Sequence, residues 1–295
     1  YDPKTFDQVV MPNFIECTAD ELLSMIEPME FDFLPGKRFI AYDTETYYTG
    51  VPNNRMPSKV VRRFIQRGSK TIPNDFPFCM SFSDGKRSYV VYDTLENRFQ
   101  EFKKLEVILA DPTIDKIAHN FAYDLHMTAN TGVNIKGRLH DTLYLSKLTR
   151  ADAFTHNLEA ISDELYNSEE CPTCTTFEKM LGAYKAQYRI TDYRQFPKEL
   201  MTQYTAADTW NAIWCFSQLY QKMLANEQQT LYDIECQMLI VAYWMERRGV
   251  RLDPNYKDEL IPELQKEADE AERAIYDIAG GVFNINSSQQ LYSVL

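Results

Sequence analysis

The sequence has 295 residues, of which 44% are hydrophobic and 25% charged, with 10 Gly and 13 Pro. This composition excludes a collagenous or low-complexity chain, and the lack of a long apolar run excludes a membrane-spanning helix. The formal net charge of −12 argues against a nucleic-acid-binding protein, because phosphate contacts require Lys and Arg. The length predicts roughly two domains.

The first half of the chain alternates predicted strands and helices. Asp84-Gly85, between two strand-like runs, is a strong hairpin signal. Residues 49–75 are polar and basic and contain Pro, so we expect them to leave the core. The other predicted elements are a helix over 19–27, a strand that contains 39–41 and stops at acids, a helix over 98–110, a strand over 116–118 and a helix that opens at 121.

The basic residues are unevenly distributed along this first half. Residues 51–80 hold six basic side chains and one acid, so the window carries a charge of +5. Both a solvated basic loop and a local contact with phosphate explain this excess, and the two interpretations stay open here. Arg62, Arg63 and Arg67 are the candidates for the phosphate contact.

After residue 140 the chain is mostly helical. Gly249 and the pair Gly280-Gly281 are well placed to end the last two helices. The predicted helices cover 157–166, 177–188, 199–223, 227–248 and 254–279. The whole pattern predicts an α/β layer domain to about residue 222, followed by the start of a helical module.

Six cysteines are present. Cys171 and Cys174 have Cys-x-x-Cys spacing, but no second pair and no suitable His spacing completes a zinc site, which disfavours a metal or redox role. The cysteine usage is typical of a reducing, intracellular compartment. The N-terminal residues lack the charged and apolar regions of a signal peptide, so we expect a protein that is not secreted.

Two carboxylates follow the first long strand. Asp43 and Glu45 are two residues apart, so in a strand their side chains point to the same face. Two like charges on one face repel, and a divalent cation such as Mg²⁺, which prefers oxygen ligands, removes that repulsion. A solvated strand end is the structural alternative for this pair.

Two further pairs have helical i, i+4 spacing. Asn120 and Asp124 span a predicted helix start, and Tyr204 and Asp208 lie within a longer helical pattern. The alternatives are an Asp that interacts favourably with a helix N-terminus and an exposed Asp beside a half-buried Tyr. The small residues beside Tyr204 and Asp208 allow another element to pack close to them.

In this order, D-x-E, N-x-x-x-D and Y-x-x-x-D resemble the proofreading 3′–5′ exonuclease domain of family A DNA polymerases, the Tyr subclass of the DEDD superfamily. The matching segments are AYDTET at 41–46, HNFAYD at 119–124 and YTAADT at 204–209, with 139–142 and 156–158 similar to the intervening segments. The resemblance implies a ribonuclease H-like α/β fold, a mixed sheet flanked by helices, followed by long helices of a partial thumb.

The resemblance also implies a domain organisation. Residues 1–36 form a lead-in, 37–222 the exonuclease domain with an inserted basic segment over 50–75, and 223–295 the start of a polymerase thumb. The initial Tyr and the lack of palm and fingers motifs indicate a fragment of a longer DNA-directed DNA polymerase, a nucleotidyltransferase. Its expected location is a bacterial or phage-infected cytoplasm, or an organelle, and its partners are the polymerase domain of the same chain and DNA, with no membrane.

The site residues follow from the same resemblance. Asp43, Glu45 and Asp208 would hold one divalent ion, Mg²⁺ or Mn²⁺, and Asp43 and Asp124 a second, for phosphodiester hydrolysis that releases nucleoside monophosphates. One ion would help to form hydroxide and the other would stabilise the leaving 3′-oxygen. Tyr204 and Glu45 would orient the attacking water.

The remaining residues of these motifs have lesser expected roles. Asn120 and Thr44 would contact the substrate, which is a single-stranded or frayed primer 3′ end, and Asn120 could instead support the carboxylates. His119 and Asp141 would be structural. Two other functions stay open: a stand-alone 3′–5′ RNA exonuclease of the same superfamily, against which the thumb-like tail argues, and a non-catalytic DNA-binding or assembly module.

Overall fold

The computed structural model describes residues 13–48, 64–67, 70–73, 75–165, 174–190, 192–251 and 253–294. Residue contacts divide the chain into two units, 1–247 and 248–295. Within the described ranges, no helix is long and apolar enough to cross a membrane. The functional domain boundaries predicted near residues 37 and 222 stay predictions.

The first unit is built on a mixed β-sheet. The strands of this unit are β1 (Phe14–Glu16), β2 (Met29–Glu30), β3 (Arg38–Tyr48), β4 (Phe64–Arg67), β5 (Lys70–Pro73), β6 (Asp75–Ser83), β7 (Ser88–Tyr92), β8 (Ile114–Ala118) and β9 (Leu139–Asp141). The order in the main sheet is β1-β7-β6-β3-β8-β9, with β2 paired to β3, and β4 and β5 form a separate two-stranded sheet.

Helices cover this sheet, as predicted for a mixed sheet flanked by helices. The helices that begin in the first unit are α1 (Ala19–Met25), α2 (Gln100–Lys104), α3 (Glu106–Leu109), α4 (Ala122–Asn130), α5 (Thr142–Thr149), α6 (Leu158–Leu165), α7 (Cys174–Tyr188), a 3-10 helix (Tyr193–Gln195), α8 (Lys198–Ala225) and α9 (Gln229–Arg248). The second unit contains α10 (Pro254–Ala279) and α11 (Ser288–Val294).

Strand β3 is the centre of the sheet. It is antiparallel to β6 on one side and parallel to β8 on the other. Side chains alternate along a strand. Phe39 and Ala41 accordingly pack against residues of α8 such as Phe216, whereas the Tyr42 ring packs on Phe82 and its hydroxyl contacts Thr128 of α4. The strand therefore supplies core residues to both faces before it reaches its acids.

The hairpin predicted at Asp84-Gly85 joins β6 to β7. The Asp84 carboxylate accepts hydrogen bonds from the backbone N–H groups of Lys86 (2.9 Å) and Arg87 (2.8 Å). Gly85 has φ of +79°, and a Cβ at this position would lie 2.5 Å from the Met29 sulfur. Glycine satisfies both the left-handed backbone and the close approach, so the turn prediction is confirmed.

The prediction of one continuous helix over 98–110 is wrong. The structure has two short helices there, α2 and α3, which meet at Leu105. Phe99 has φ of 55°, so the first helix starts only after it. The buried Asp93 carboxylate then accepts from the backbone N–H of Glu101 (2.7 Å) and Phe102 (3.2 Å), which satisfies the first turn.

The second unit confirms the predicted helix over 254–279. Asp253 accepts a hydrogen bond from the backbone N–H of Asn255 (2.9 Å), Pro254 occupies the first turn, and Gly280 ends α10 with φ of 73°. This is the usual arrangement of an N-cap acid, an early Pro and a C-terminal Gly. Leu264, Ile275 and Ile278, three apolar residues of this helix, are exposed.

Candidate active site

Strand β3 carries the first two acids of the site. Asp43 pairs in register with Ser81 of β6 and Glu45 with Cys79, and a register shift follows between Glu45 and Thr46. Both carboxylates belong to one compact group, so the prediction that they share a face of the strand is confirmed. Asp43 is half-buried, and Glu45 is only 8% exposed.

Helix α8 lies close against this part of the sheet. Ser81 donates its hydroxyl hydrogen to the Thr205 carbonyl oxygen (3.0 Å), and Ser88 donates to the Ala206 carbonyl oxygen (3.0 Å). Ala206 and Ala207 are fully buried, as their small size predicted. Because Ser81 is the register partner of Asp43, these contacts place the Tyr204–Asp208 turn of α8 beside the acids of β3.

Three carboxylates meet at this junction. One oxygen from each of Asp43, Glu45 and Asp208 lies within 4.8 Å of the other two. Burial, and after it the negative charges of Asp43 and Asp208, raise the pKa of Glu45 well above its usual range. Burial also raises the pKa of Asp43. All three donors are carboxylate oxygens, the ligand type of Mg²⁺ and Mn²⁺, so the residues fit a divalent cation that neutralises their repulsion.

Asp124, on α4, is attached to the same strand but is not one of the three clustered acids. Its Oδ1 accepts hydrogen bonds from the backbone N–H of Thr44 (3.0 Å) and from the Thr44 hydroxyl (2.6 Å). Burial, followed by the charge of Asp43, raises the pKa of Asp124. Asp124 therefore lies within electrostatic range of Asp43, while its nearest contacts are to Thr44, which is itself buried. A substrate contact by Thr44 stays a prediction.

The i, i+4 spacing of Asn120 and Asp124 predicts that both residues share one face of a helix, but Asn120 lies outside α4. It has φ of 59°, and α4 begins two residues later. Its backbone N–H donates to Asp141 Oδ1 (2.9 Å), and that of Phe121 donates to Asp141 Oδ2 (2.9 Å). The helical i, i+4 argument is thus wrong for this pair, because a left-handed turn held by Asp141, and not a helical face, orients Asn120.

An open cavity of about 460 Å³ adjoins the carboxylates. Asp43 and Asp208 line it together with Asn120 and His119. His119 Nδ1 lies 2.9 Å from the Thr142 hydroxyl, and burial lowers the pKa of His119 to about 4, so the ring is neutral near pH 7. Two of the three clustered acids, Asp43 and Asp208, are therefore accessible from this cavity.

Tyr204 is half-buried one helical turn before Asp208. Burial, and then the charges of Asp208 and Glu45, raise the pKa of its hydroxyl well above the usual range. The hydroxyl therefore keeps its proton and remains a hydrogen-bond donor beside the acids. This is the state that orientation of a water molecule requires.

Several residues that lie beside the site were not predicted from the sequence. Glu159 lines the cavity. The charge of Glu178, on α7, raises the pKa of both Glu45 and Tyr204, and Tyr193 of the 3-10 helix responds to the charges of Glu45 and Asp208. No spacing rule connects these residues with the motifs. The interleaving of aromatic and basic residues around Tyr193 is the one signal that could have been used.

Other predicted residues cannot be placed in the site. Arg62 and Arg63 lie outside the described residues, as do Cys171 and the side chains of Arg67 and Cys174. The backbone of Arg67 belongs to the β4–β5 pair, which is separate from the main sheet. The phosphate contact of the basic segment therefore stays a prediction.

Known proteins similar to this chain agree with the geometry. The family of DNA polymerase A 3′–5′ exonucleases matches residues 70–225. DNA polymerase I of Chloroflexus aurantiacus is 32% identical over 195 residues, 65% of this chain and 20% of that protein. DNA polymerase I of Caldicellulosiruptor bescii is 24% identical over 92% of this chain and 27% of that protein. The chain thus spans about a fifth to a quarter of these two relatives.

Similar solved structures show the fold. Brucella melitensis NrnC aligns with a TM-score of 0.52 at 19% identity, covering 72% of this chain and 85% of that one. A structure of the same protein with bound Mg²⁺ aligns with a TM-score of 0.50 at 18% identity. At these identities the likeness shows the fold alone, a mixed sheet flanked by helices, and the predicted fold class is confirmed.

Proposed function

This chain belongs to the 3′–5′ exonuclease family of A-type DNA polymerases, a family of hydrolases, and we propose that it removes mispaired nucleotides from the 3′ end of DNA as monophosphates. The observation that carries this proposal is the group of three carboxylates, within 4.8 Å of one another, beside the open cavity. The relatives are DNA polymerases I, which supports a polymerase domain in the same full-length chain as its partner.

The acids would hold the metal ions. Asp43, Glu45 and Asp208 are close enough to share one divalent cation, Mg²⁺ or Mn²⁺. Asp43 and Asp124, which interact electrostatically, would hold a second. When bound, two such ions supply an activated water and stabilise charge on the leaving oxygen. The Thr44 hydrogen bonds keep the Asp124 side chain in one orientation, so that little ordering is left for metal binding.

The protein's own groups would orient the reactants. Tyr204 keeps its proton and donates a hydrogen bond to the attacking water, and the Glu45 carboxylate accepts one from it. Asn120, held in its turn by Asp141, faces the cavity and would contact the terminal nucleotide.

Selectivity for errors would come from the state of the DNA end. A mispaired end frays at lower cost than a paired one, because fewer stacking and pairing interactions are lost. The cavity adjoins the acids from the solvent side, so a frayed single strand can reach them. The enzyme then needs no contact that recognises the wrong base.

A stand-alone RNA exonuclease is the second candidate. Brucella melitensis NrnC, aligned over 85% of its length, shows that this fold also occurs in a chain with little additional sequence, as a stand-alone enzyme would require. At 19% identity this likeness establishes the fold alone. The 92% coverage in the alignment with a DNA polymerase I favours the first proposal, since it extends past residue 225 into the segment proposed here as the start of a thumb, 223–295.

The test is release of mononucleotides from labelled single-stranded oligonucleotides of matched sequence in DNA and RNA, with Mg²⁺, with Mn²⁺ and with a chelator. We expect metal-dependent shortening of DNA from the 3′ end, and faster cleavage of a mispaired primer end than of a paired one. Preferential cleavage of RNA would establish the second candidate instead. No cleavage of either polymer would indicate the non-catalytic alternative.

Asp43→Ala is the matched loss-of-function variant. It removes a ligand proposed for both ions, so we expect activity to fall at least about 1,000-fold with an unchanged circular dichroism spectrum. Asp163→Ala, which removes an exposed acid of α6 outside the cluster, is the control and should retain full activity. Near-normal cleavage by the folded Asp43 variant would contradict the metal assignment.

A further inference from the structure

Aromatic and basic residues alternate from the last turn of α7 to the first residue of α8. Residues 184–198, here called the aromatic–basic segment, contain four aromatic residues, four cations and one acid, Asp192. The segment thus carries a charge of +3 in a chain of −12. The aromatic residues are Tyr184, Tyr188, Tyr193 and Phe196, and the cations are Lys185, Arg189, Arg194 and Lys198. The acidic site does not require such a pattern.

The four aromatic rings form a continuous series. The Tyr188 and Tyr184 ring centroids are 4.4 Å apart, Tyr184 and Phe196 are 5.8 Å apart, and Phe196 and Tyr193 are 5.6 Å apart. Phe196 is buried and anchors the series, whereas Tyr188 is 55% exposed at its outer end. Such an exposed aromatic surface offers stacking partners to bases of any sequence.

The inner end of the series lies at the candidate active site. The 3-10 helix that carries Tyr193 is attached to β3 by Arg194, whose guanidinium carbon lies 4.0 Å from the ring centroid of Tyr47. Tyr47 is two residues beyond Glu45 in that strand. Burial, and then the charge of Glu45, raise the pKa of Tyr193 to about 12, which agrees with this position.

The cations differ in how they are engaged. Arg194 forms an ion pair with Asp192 (2.6 Å), and Lys198 pairs with Glu16. Lys185 lies over the Tyr193 ring, 5.6 Å from its centroid, and is exposed, as is Arg189, the residue that follows Tyr188. Lys185 and Arg189 are therefore the cations of this segment best placed to contact phosphate groups beside the rings.

We propose that the aromatic–basic segment binds the single-stranded DNA that leads into the active site, with Tyr188 and Tyr193 stacked on bases and Lys185 and Arg189 contacting phosphates. The proposal rests on the exonuclease function proposed above. It names residues that hold the strand beyond the terminal nucleotide, and it explains how a chain of strongly negative charge retains a polyanion next to a cluster of carboxylates.

The test measures binding separately from cleavage. The affinity of a labelled single strand of about 12 nucleotides, a length within the range of single-strand binding sites, is measured without divalent metal at several salt concentrations. For Lys185→Ala/Arg189→Ala we expect at least about a tenfold loss of affinity and a salt slope smaller by about 1.4, because two phosphate contacts are lost. Lys103→Ala/Lys222→Ala removes the same charge from exposed positions elsewhere and should change neither.

Variants of Tyr188 distinguish the contribution of base stacking to DNA affinity from that of charge. Tyr188→Ala should weaken binding about tenfold, whereas Tyr188→Phe keeps the ring and should bind like the wild type. In the cleavage assay, the Ala variant should raise KM for the long strand and leave kcat unchanged. For a dinucleotide, which does not reach Tyr188, both constants should stay as in the wild type.

The two proposals fail in different ways. If Lys185→Ala/Arg189→Ala binds the single strand as tightly as the wild type while the wild type degrades DNA, this inference is overturned and the exonuclease function stands. Equal losses of affinity for single-stranded and for blunt duplex DNA in Tyr188→Ala would also overturn it. The ring would then contribute nothing specific to unpaired bases. If the wild type degrades neither DNA nor RNA, the exonuclease proposal fails, whatever the binding result.

Discussion

Glu45 is a buried acid in a cluster of negative charge. It is 8% exposed, and one of its oxygens lies within 4.8 Å of oxygens of both Asp43 and Asp208. A buried carboxylate without a compensating charge is unstable, so it takes up a proton or binds a cation. The burial that makes an uncompensated charge on Glu45 costly is thus also what favours binding of a cation at this residue.

Tyr204→Phe tests the role of one hydroxyl. The change keeps the ring and its packing, so we expect DNA affinity to stay within about twofold while the single-turnover rate falls about tenfold or more, because the attacking water loses its donor. Rapid-quench measurement with excess enzyme gives that rate. Tyr256→Phe, at an exposed position of α10, is the control. An unchanged rate would assign Tyr204 to packing.

Asp141→Ala tests the support of Asn120. The Asp141 carboxylate is 1% exposed and accepts from three backbone N–H groups, those of Asn120, Phe121 and Leu143, each at 2.9 Å. Their loss should lower the free energy of unfolding by about 2–4 kcal/mol, measured by urea denaturation. Asp141→Asn retains one acceptor and should lose less. A loss below about 0.5 kcal/mol would contradict the assignment of these bonds as structural.

Among the elements, α8 determines the geometry of the site. Its 28 residues run from Lys198 to Ala225, close to the predicted helix over 199–223. The periodicity of the sequence predicted this helix, yet its place on the sheet depends on the Ser81 and Ser88 bonds to its backbone. These join residues more than 100 positions apart, and local propensity carries no information about such pairs.

Ala206→Leu should separate α8 from the sheet. Ala206 is fully buried, and a larger side chain there overpacks the interface, at a cost of about 1–3 kcal/mol in the free energy of unfolding. Because the Asp208 carboxylate on α8 must stay close to those of Asp43 and Glu45 on β3, we expect the cleavage rate to fall about 100-fold. This fall is larger than the loss of stability alone explains. Gln218→Leu, on an exposed position of the same helix, is the control. Normal activity in the Ala206 variant would show that the site tolerates movement of α8.

At the scale of the whole molecule, stability should depend on protons and metal together. Burial raises the pKa of Asp43, Glu45 and Asp124, so between the ordinary pKa of about 4 and the raised values the folded protein binds more protons than the unfolded chain. Stability contributed by these groups is therefore present at low pH and lost as pH rises through the raised pKa values. A divalent cation that binds the deprotonated acids should restore it.

Thermal denaturation tests this linkage. We expect Mg²⁺ or Mn²⁺ to raise Tm more at about pH 7.5 than at about pH 5, because protons compete with the cation for the same oxygens. A metal concentration of about 100 times Kd stabilises the folded state by about 2.7 kcal/mol, a shift of roughly 5–10 °C for a domain of this size. Asp43→Asn/Asp208→Asn should abolish the shift. An equal shift at both pH values would place metal binding elsewhere.

Local patterns in the sequence predicted much of this protein, because they depend on residues that are close along the chain. Strand alternation correctly placed Asp43 and Glu45 on one face, turn chemistry located the hairpin at Asp84-Gly85, and periodicity identified α8 and α10. The order of the three acidic motifs was sufficient to recognise the family. None of these inferences required knowledge of which distant elements touch.

Contacts between distant segments account for what could not be predicted. The i, i+4 spacing of Asn120 and Asp124 has the form of a helical pair, but Asp141, about 20 residues away, holds Asn120 in a left-handed turn outside the helix. The Thr44 bonds to Asp124 and the approach of Tyr193 to the acids likewise join segments far apart in the chain. Such contacts form only when the sheet and its helices pack, because side-chain hydrogen bonds and buried charges depend on three-dimensional neighbours that spacing along the chain does not specify.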